Sequence, residues 1–447
     1  MGALERTFRL QENGTTLRTE ALAGATTFAT MSYIIVVQPQ VLSSTGMDFG
    51  AVMVATCVAS AAGTLLMGLL ANYPIALAPA MGHNFFFAAT VCGTSAAGGM
   101  GYSWQEALGA VAVAGGVFLA LSILRVREKL IDAIPVGLRH AIGAGIGMLI
   151  ALVGLHDAGL AVPGRGTLMA LGDLSEPTVV VALVGLAVTS VLMARRVPGA
   201  MLLGMAASAV LCYATGLAAA PSSALDLPPS VGPTLGQLRM PNILVRPESI
   251  IVILTFLYLD MFDTVGTLIG VAQQAGFMRD GQLPRAGRAL AADAASTVVG
   301  AVVGTSTVTS YVESAAGVAS GGRTGLANMV TAALFLLALF TAPLVRALGG
   351  GIALPDGTIV HPITAPALVI VGAMMMGATR HIDWASDGVP AFLTILVMVV
   401  DLNISAGISV GFLSYVLLKV ARGQWRQIHG LTYACAAFGT LYFAFLR

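Results

Sequence analysis

The stretch AVMVATCVASAAGTLLMGLL, residues 51–70, carries no charged side chain, and PTVVVALVGLAVTSVLMA, residues 177–194, repeats the condition. A helix of about 20 such residues crosses the roughly 30 Å hydrocarbon layer of a bilayer. Comparable runs recur along the chain and predict spans at 21–42, 51–70, 79–96, 104–123, 137–155, 178–194, 198–218, 249–275, 289–304, 313–321, 325–347, 362–379, 388–401 and 404–420. Only 10% of the residues are charged, where a soluble domain carries about 25%, and mean hydropathy is +0.88. The chain therefore reads as an all-α polytopic membrane protein. Its 53 glycines among 447 residues suit close helix approach in lipid. The run GLTYACAAFGTLYFAFL, 430–446, is apolar too, and its pattern fits either a span or a helix on the bilayer surface.

Charge fixes the expected orientation. With a cytoplasmic N-terminus (1–20), Arg6, Arg9, Arg18, Arg125, Arg127, Lys129, Arg139, Arg195, Arg196, Arg279, Arg285, Arg288, Arg323, Arg380, Lys419, Arg422 and Arg426 fall inside, 17 of 22 basic residues. Arg165, Arg239, Arg246 and Arg346 fall outside, and Arg447 follows the tail. That bias is what the positive-inside rule requires. The N-terminus reads as retained, because the first apolar run is too long for a signal-peptide core. A net charge of +1 offers no basic surface for nucleic acid. The four cysteines, 57, 92, 212 and 435, sit singly in apolar runs, which points to packing rather than to metal or redox chemistry. No metal or cofactor is expected.

Internal likeness suggests a repeat. SAAGTLLMGLLANYPIALAPAMG (60–82) parallels STVVGAVVGTSTVTSYVESAAG (296–317), and VPGAMLLGMAASAVLCYATG (197–216) parallels NISAGISVGFLSYVLLKVARG (403–423) in the spacing of small residues. Seven spans per half place the second half upside down relative to the first, as in many secondary carriers. Both members of the first pair are interrupted. Pro74 and Pro79 forbid a continuous helix through NYPIALAPAMGHN (72–84). Seven of the ten residues 305–314 carry hydroxyls, and Thr305, Thr307, Val308, Thr309 and Val312 favour extended backbone. A strand facing lipid would leave each unpaired backbone group costing several kcal/mol, so such strands must be buried in protein or beside a wet cavity. Spans 3 and 10 are thus expected to contain short antiparallel strands that pair and hand over to half-helices near Gly82–Phe85 and Val312–Ser314. Such paired interruptions are where carriers build a binding site.

Candidate site residues follow from that geometry. Asp260 and Asp263 lie three apart in LTFLYLDMFDTVGTLIGVA (254–272), which predicts one helix face, and an acid at bilayer depth needs a partner, a proton or a wet cavity. Glu313 stands at the second half-helix, flanked by Val312 and Ser314. Asp260, Asp263 and Glu313 are the candidates for proton coupling. Asp293 and Asp401, near span ends, read as structural or interfacial. The Asn84 amide offers both donor and acceptor, which suits the lactam edge of a 6-oxopurine and the amidine edge of adenine equally. Phe85 heads a Phe run that could stack a flat heterocycle. His83 reads as a satisfied interior histidine, with a proton-linked role as the alternative.

At these residues the chain resembles the AzgA-like purine permeases of the nucleobase–cation symporter group. The resemblance rests on AGATTFATMSYIIVVQPQVLSSTGMD (23–48), ANYPIALAPAMGHNFFFA (71–88), LDMFDTVGTLIGVAQQAGF (259–277) and GTSTVTSYVESAAGVASGGRTGL (304–326), and covers nearly the whole chain. It implies a uracil-permease-like fold of fourteen spans in two inverted repeats, with a core domain (21–130 and 249–348) and a gate domain (131–220 and 349–447), joined by an external linker (221–248). It also implies proton-coupled uptake of purine bases at the cytoplasmic (inner) membrane, often by a dimer joined through gate domains. Asn84, Asp260, Asp263 and Glu313 match polar positions the family uses, and Phe85 matches the aromatic that backs the base in related carriers. The family usually reads GMGLNAFFA where this sequence has AMGHNFFFA, so Ala80, His83 and Phe85 depart from it.

Two other classes compete. An anion or pyrimidine carrier could use the same fold, but Glu313 at a half-helix mouth would repel an anion. An enzyme or receptor would need a catalytic motif, and no HExxH, GxSxG or Walker pattern occurs in a sensible context. ASGGRTG (319–325) lacks the ending of a phosphate loop, and is expected to let Arg323 reach the cytoplasmic interface.

Overall fold

The computed structural model describes residues 2–94, 99–124, 135–164, 169–221, 223–240, 248–278, 283–354 and 357–445. Arg125, Arg127, Lys129, Arg165, Arg246, Arg279 and Arg447 of the charge count lie outside the described residues, as do residues 95–96 of the third predicted span.

The first half runs α1 (Gly2–Phe8), α2 (Leu17–Met31), α3 (Ile34–Ser43), α4 (Phe49–Leu70), β1 (Leu77–Pro79), α5 (Met81–Phe85) with a π-helical turn at Phe86–Val91, α6 (Trp104–Ile123), α7 (Val136–Asp157), a hairpin of β2 (Ala161–Pro163) and β3 (Met169–Leu171), α8 (Pro177–Ala194) and α9 (Ala200–Ala214). The second continues α10 (Ser249–Gln274), α11 (Ala286–Val303), β4 (Val308–Ser310), α12 (Ser314–Ala319), α13 (Leu326–Ala338) and α14 (Ala342–Gly349), a hairpin of β5 (Ile352–Ala353) and β6 (Ile359–Val360), then α15 (Ala365–Met376), α16 (Gly388–Val400), α17 (Ile404–Ala421) and α18 (Gly430–Phe445). Among the described residues nine segments are long and apolar enough to cross a bilayer. The shorter helices and the two interrupted spans account for the rest of the fourteen.

Local chemistry sets the helix ends. Asp48 caps α4 by accepting from Ala51 N at 2.7 Å, Ser103 and Glu106 form a capping box on α6, and Asn403 caps α17. The first span, expected over 21–42, is one apolar segment, Leu17–Ser43, whose helix is divided into α2 and α3 at Ser32–Tyr33.

Strands β1 and β4 pair antiparallel, with Leu77 opposite Ser310 and Pro79 opposite Val308. The equivalent α4–β1–α5 and α11–β4–α12 units thereby meet at the centre of the protein, and α4 packs on α11. Residues 304–311 are all buried. Side chains of the surrounding helices finish the backbone accounting, because two strands make too small a sheet to satisfy themselves: Thr64 bonds both Leu77 N and Leu77 O at 3.0 Å, Thr297 donates to Val308 O at 2.9 Å, and Asn328 donates to Ile75 O at 2.8 Å. The hydroxyls of the segment itself mostly meet side chains: Thr305 and Ser306 those of Gln38, Thr309 that of Thr264, and Ser310 that of Asp293.

Helices α2, α4, α6, α10, α11 and α13 pack around the strand pair, while α7, α15, α16 and α17 pack on one another, with α8 and α9 beside them. Between the two groups, Gly82 of α5 sits against Ile146 of α7 and Gln40 of α3 donates to Asp157 of α7 at 3.4 Å. Arg323 is half-exposed. Its guanidinium folds back on Val318 O and Gly322 O, at 2.8 and 2.7 Å, neutralising the carbonyl end of α12.

Candidate functional site

The structure brings three of the predicted residues to one open place. Glu313 is the residue preceding α12 and is half-buried, and Val312 beside it is 50% exposed. Asp263 on α10 is exposed and close enough to Glu313 for their charges to interact. Gly266 and Gly270 are exposed on the same helix face, one and two turns farther on. Among the described residues, no other part of the protein lies within 4 Å of where a Cβ on Gly266 or Gly270 would stand, so α10 is open along this face.

Asp260 and Asp263 do not share an environment. Asp260 is buried, its Oδ2 lies 3.1 Å from Thr297 Oγ1, and it interacts electrostatically with Asp293. Asp293, of the two readings given to it, is structural and not interfacial. It is fully buried and accepts from Thr264 at 2.7 Å and Ser310 at 3.0 Å. The Thr264 and Thr309 hydroxyls lie 2.6 Å apart, so this acid fastens α10 and α11 to β4.

Asn84 is not presented to a ligand in this conformation. It is fully buried, its amide N–H donates to Gln38 Oε1, and its carbonyl accepts from Ser306 Oγ. Gln38 in turn donates to Thr305 at 2.9 Å and Ser306 at 3.2 Å. Replacing Gln38 with Leu leaves the buried amide and hydroxyls unpaired, at about 1–3 kcal/mol each, and is expected to lower the midpoint of thermal unfolding in detergent. Ser314 is likewise spent within the fold, accepting from Ala76 N at 3.0 Å. Phe85 is buried in the main apolar cluster, while Phe86 packs edge-on against Phe256 at 4.8 Å. His83 is interior as expected but not satisfied, since neither ring nitrogen has a hydrogen-bond partner.

Sequence reasoning missed Tyr33, Gln38 and Glu20. Tyr33 donates to Glu313 Oε1 at 2.9 Å. Glu20, fully buried, accepts from Arg323 N, Thr324 N and Ala327 N at 2.8, 3.3 and 3.2 Å and so closes the start of α13. The available signal was an acid and an amide inside a run otherwise suited to lipid.

Comparisons with known proteins agree with this architecture. A sequence profile described as Permease family matches residues 18–438. A guanine/hypoxanthine permease of Bacillus subtilis is 44% identical over 98% of this chain and 99% of its own length. An adenine permease of Escherichia coli is 40% identical over 98% of this chain and 96% of its own. Among solved structures, the transmembrane domain of a cyanobacterial bicarbonate transporter superimposes with a TM-score of 0.58 at 14% identity, covering 88% of this chain and 97% of that one, a likeness of fold alone. With the family matched over residues 18–438 and full-length relatives at 40% identity and above, the chain belongs to the nucleobase–ascorbate transporter group of permeases.

Proposed function

We infer that the protein is a secondary transporter that imports purine nucleobases (adenine, guanine, hypoxanthine or xanthine) with protons across the inner membrane. The observation that carries this reading is the pair of carboxyls, Asp263 on α10 and Glu313 at the half-helix of the second broken span, in a chain with full-length purine-permease relatives. Glu313 accepts ring N–H groups of the base. Asp263 is the proton-coupled acid, neutral when the site is dry and ionised when it is wet. Asp260 and Asn84 hold the frame, with Phe85 behind the base.

The two helix groups act as core and gate. The core rocks or slides against the gate, which it meets at Gly82–Ile146, Gln40–Asp157 and Tyr258–Phe412. The open stripe along α10 then corresponds to an inward-facing state, with the N-terminus cytoplasmic, and a dimer would form through the gate. The reading is tested by uptake of labelled hypoxanthine, guanine or adenine into cells lacking their own carriers, with a panel of purine and pyrimidine competitors and a protonophore. Accumulation of a purine that collapses with the protonophore is expected. A current that follows anion replacement and ignores purines would overturn it.

A further inference from the structure

Span 1 is interrupted in a place that composition gives no reason to break. Helix α2 ends at Met31 and α3 begins at Ile34, with Ser32 N capping back onto Phe28 O at 2.8 Å. The gap sets Tyr33, 2% exposed, against the carboxyl of Glu313, where its hydroxyl donates to Oε1 at 2.9 Å. Just before the gap, Thr30 Oγ1 lies 3.4 Å from Glu313 O. Beyond it, Gln38 holds Asn84, Thr305 and Ser306. A single short segment of span 1 therefore grips both half-helices.

We propose that the break in span 1 is a third arm of the binding site and that Tyr33 is the positioning residue for Glu313. The inference rests on the reading of Glu313 as the group that meets the base. A carboxylate accepts through two oxygens, and a hydrogen bond to one of them stops the group from turning. With Oε1 committed to a buried tyrosine, the ring N–H of the ligand is left to Oε2, in one plane and at one angle. The class of ligand that fits is a flat heterocycle with an unsubstituted ring N–H. Fixing the acceptor before the ligand arrives strengthens binding, because the ligand does not have to order it.

The test uses the full-length protein in nanodiscs and the variant Tyr33→Phe, which keeps the ring in its buried slot. Equilibrium binding of labelled adenine and hypoxanthine is expected to weaken about tenfold, the size of one hydrogen bond to a charged group. In a Glu313→Ala background, where no side-chain acceptor is left for the tyrosine, the same change is expected to have no further effect, because Tyr33 acts through that carboxylate. A purely structural role would instead give effects that add, and additive effects or wild-type affinity would overturn the proposal. A second measurement needs no purine: the rate of carbodiimide labelling at Glu313, located by mass spectrometry. Faster labelling in Tyr33→Phe is expected, and an equal rate would overturn the proposal. If the unmodified protein bound neither base while labelling still rose, the purine reading would fall and the hold of Tyr33 on Glu313 would stand.

Discussion

Glu313→Gln is expected to reduce uptake of every transported purine about a hundredfold while leaving the protein folded in the membrane. The amide has the volume of the carboxyl, and its carbonyl oxygen can still accept from Tyr33, so the contact made at 2.9 Å survives. What disappears is the charge. A hydrogen bond to an ionised acceptor is roughly twice as strong as one between neutral groups, and its loss on a buried edge amounts to about 1.5–3 kcal/mol. A permanently neutral side chain beside Asp263 also removes the electrostatic link between the two acids, so a proton taken by one no longer alters the other. Initial rates of labelled hypoxanthine and adenine uptake at matched expression measure the effect. Uptake close to that of the unmodified protein would remove Glu313 from the base.

The parts of this site that were legible in the sequence are those set by local chemistry. Pro74, Pro79 and the Thr-rich 305–309 run dictate extended backbone wherever they sit, and burial of that backbone requires pairing, so β1 and β4 followed. The extents of α4, α6 and α17 followed from their apolar runs at 51–70, 104–123 and 404–420, which begin within three residues of the caps Asp48, Ser103 and Asn403. The parts that were not legible depend on residues far apart in the chain. Asn84 advertises a donor and an acceptor, but nothing nearby reveals that Gln38 and Ser306 consume both. The gap at Ser32–Tyr33 has no glycine or proline within it, and Pro39 falls inside α3. The gap sets Tyr33 against Glu313, 280 residues away in sequence, a contact that an apolar-run criterion does not register. Asp260 and Asp263 were read as one face because three residues leave only about 60° between them. On α10 that angle is enough to separate packed protein from open space.

Gly325→Val is expected to yield no folded transporter, and even Gly325→Ala is expected to lower the amount of stable protein recovered from the membrane. At this position the backbone of the loop before α13 lies directly on α4. A Cβ on Gly325 would fall 2.1–2.6 Å from the O, C and Cα of Gly68, and a Cβ on Gly68 would meet Gly325 O at 2.8 Å. Both partners are backbone, so neither can turn aside as a long side chain could. Close approach of this kind is how helices associate in lipid, where apolar burial supplies no driving force between them. Moving the loop outward would also break Gly325 N from Asn72 Oδ1, now 2.7 Å away, and would pull Thr324 N and Ala327 N from the buried Glu20 carboxylate. Those three bonds hold the chain just after α12, the half-helix that presents Glu313, so a packing change there reaches the site. Size-exclusion profiles of detergent-solubilised protein, compared at equal transcript level, read the outcome. A monodisperse Gly325→Val peak with wild-type yield would show that α4 and α13 can separate without losing the fold, and that the strand pair alone holds the broken spans together.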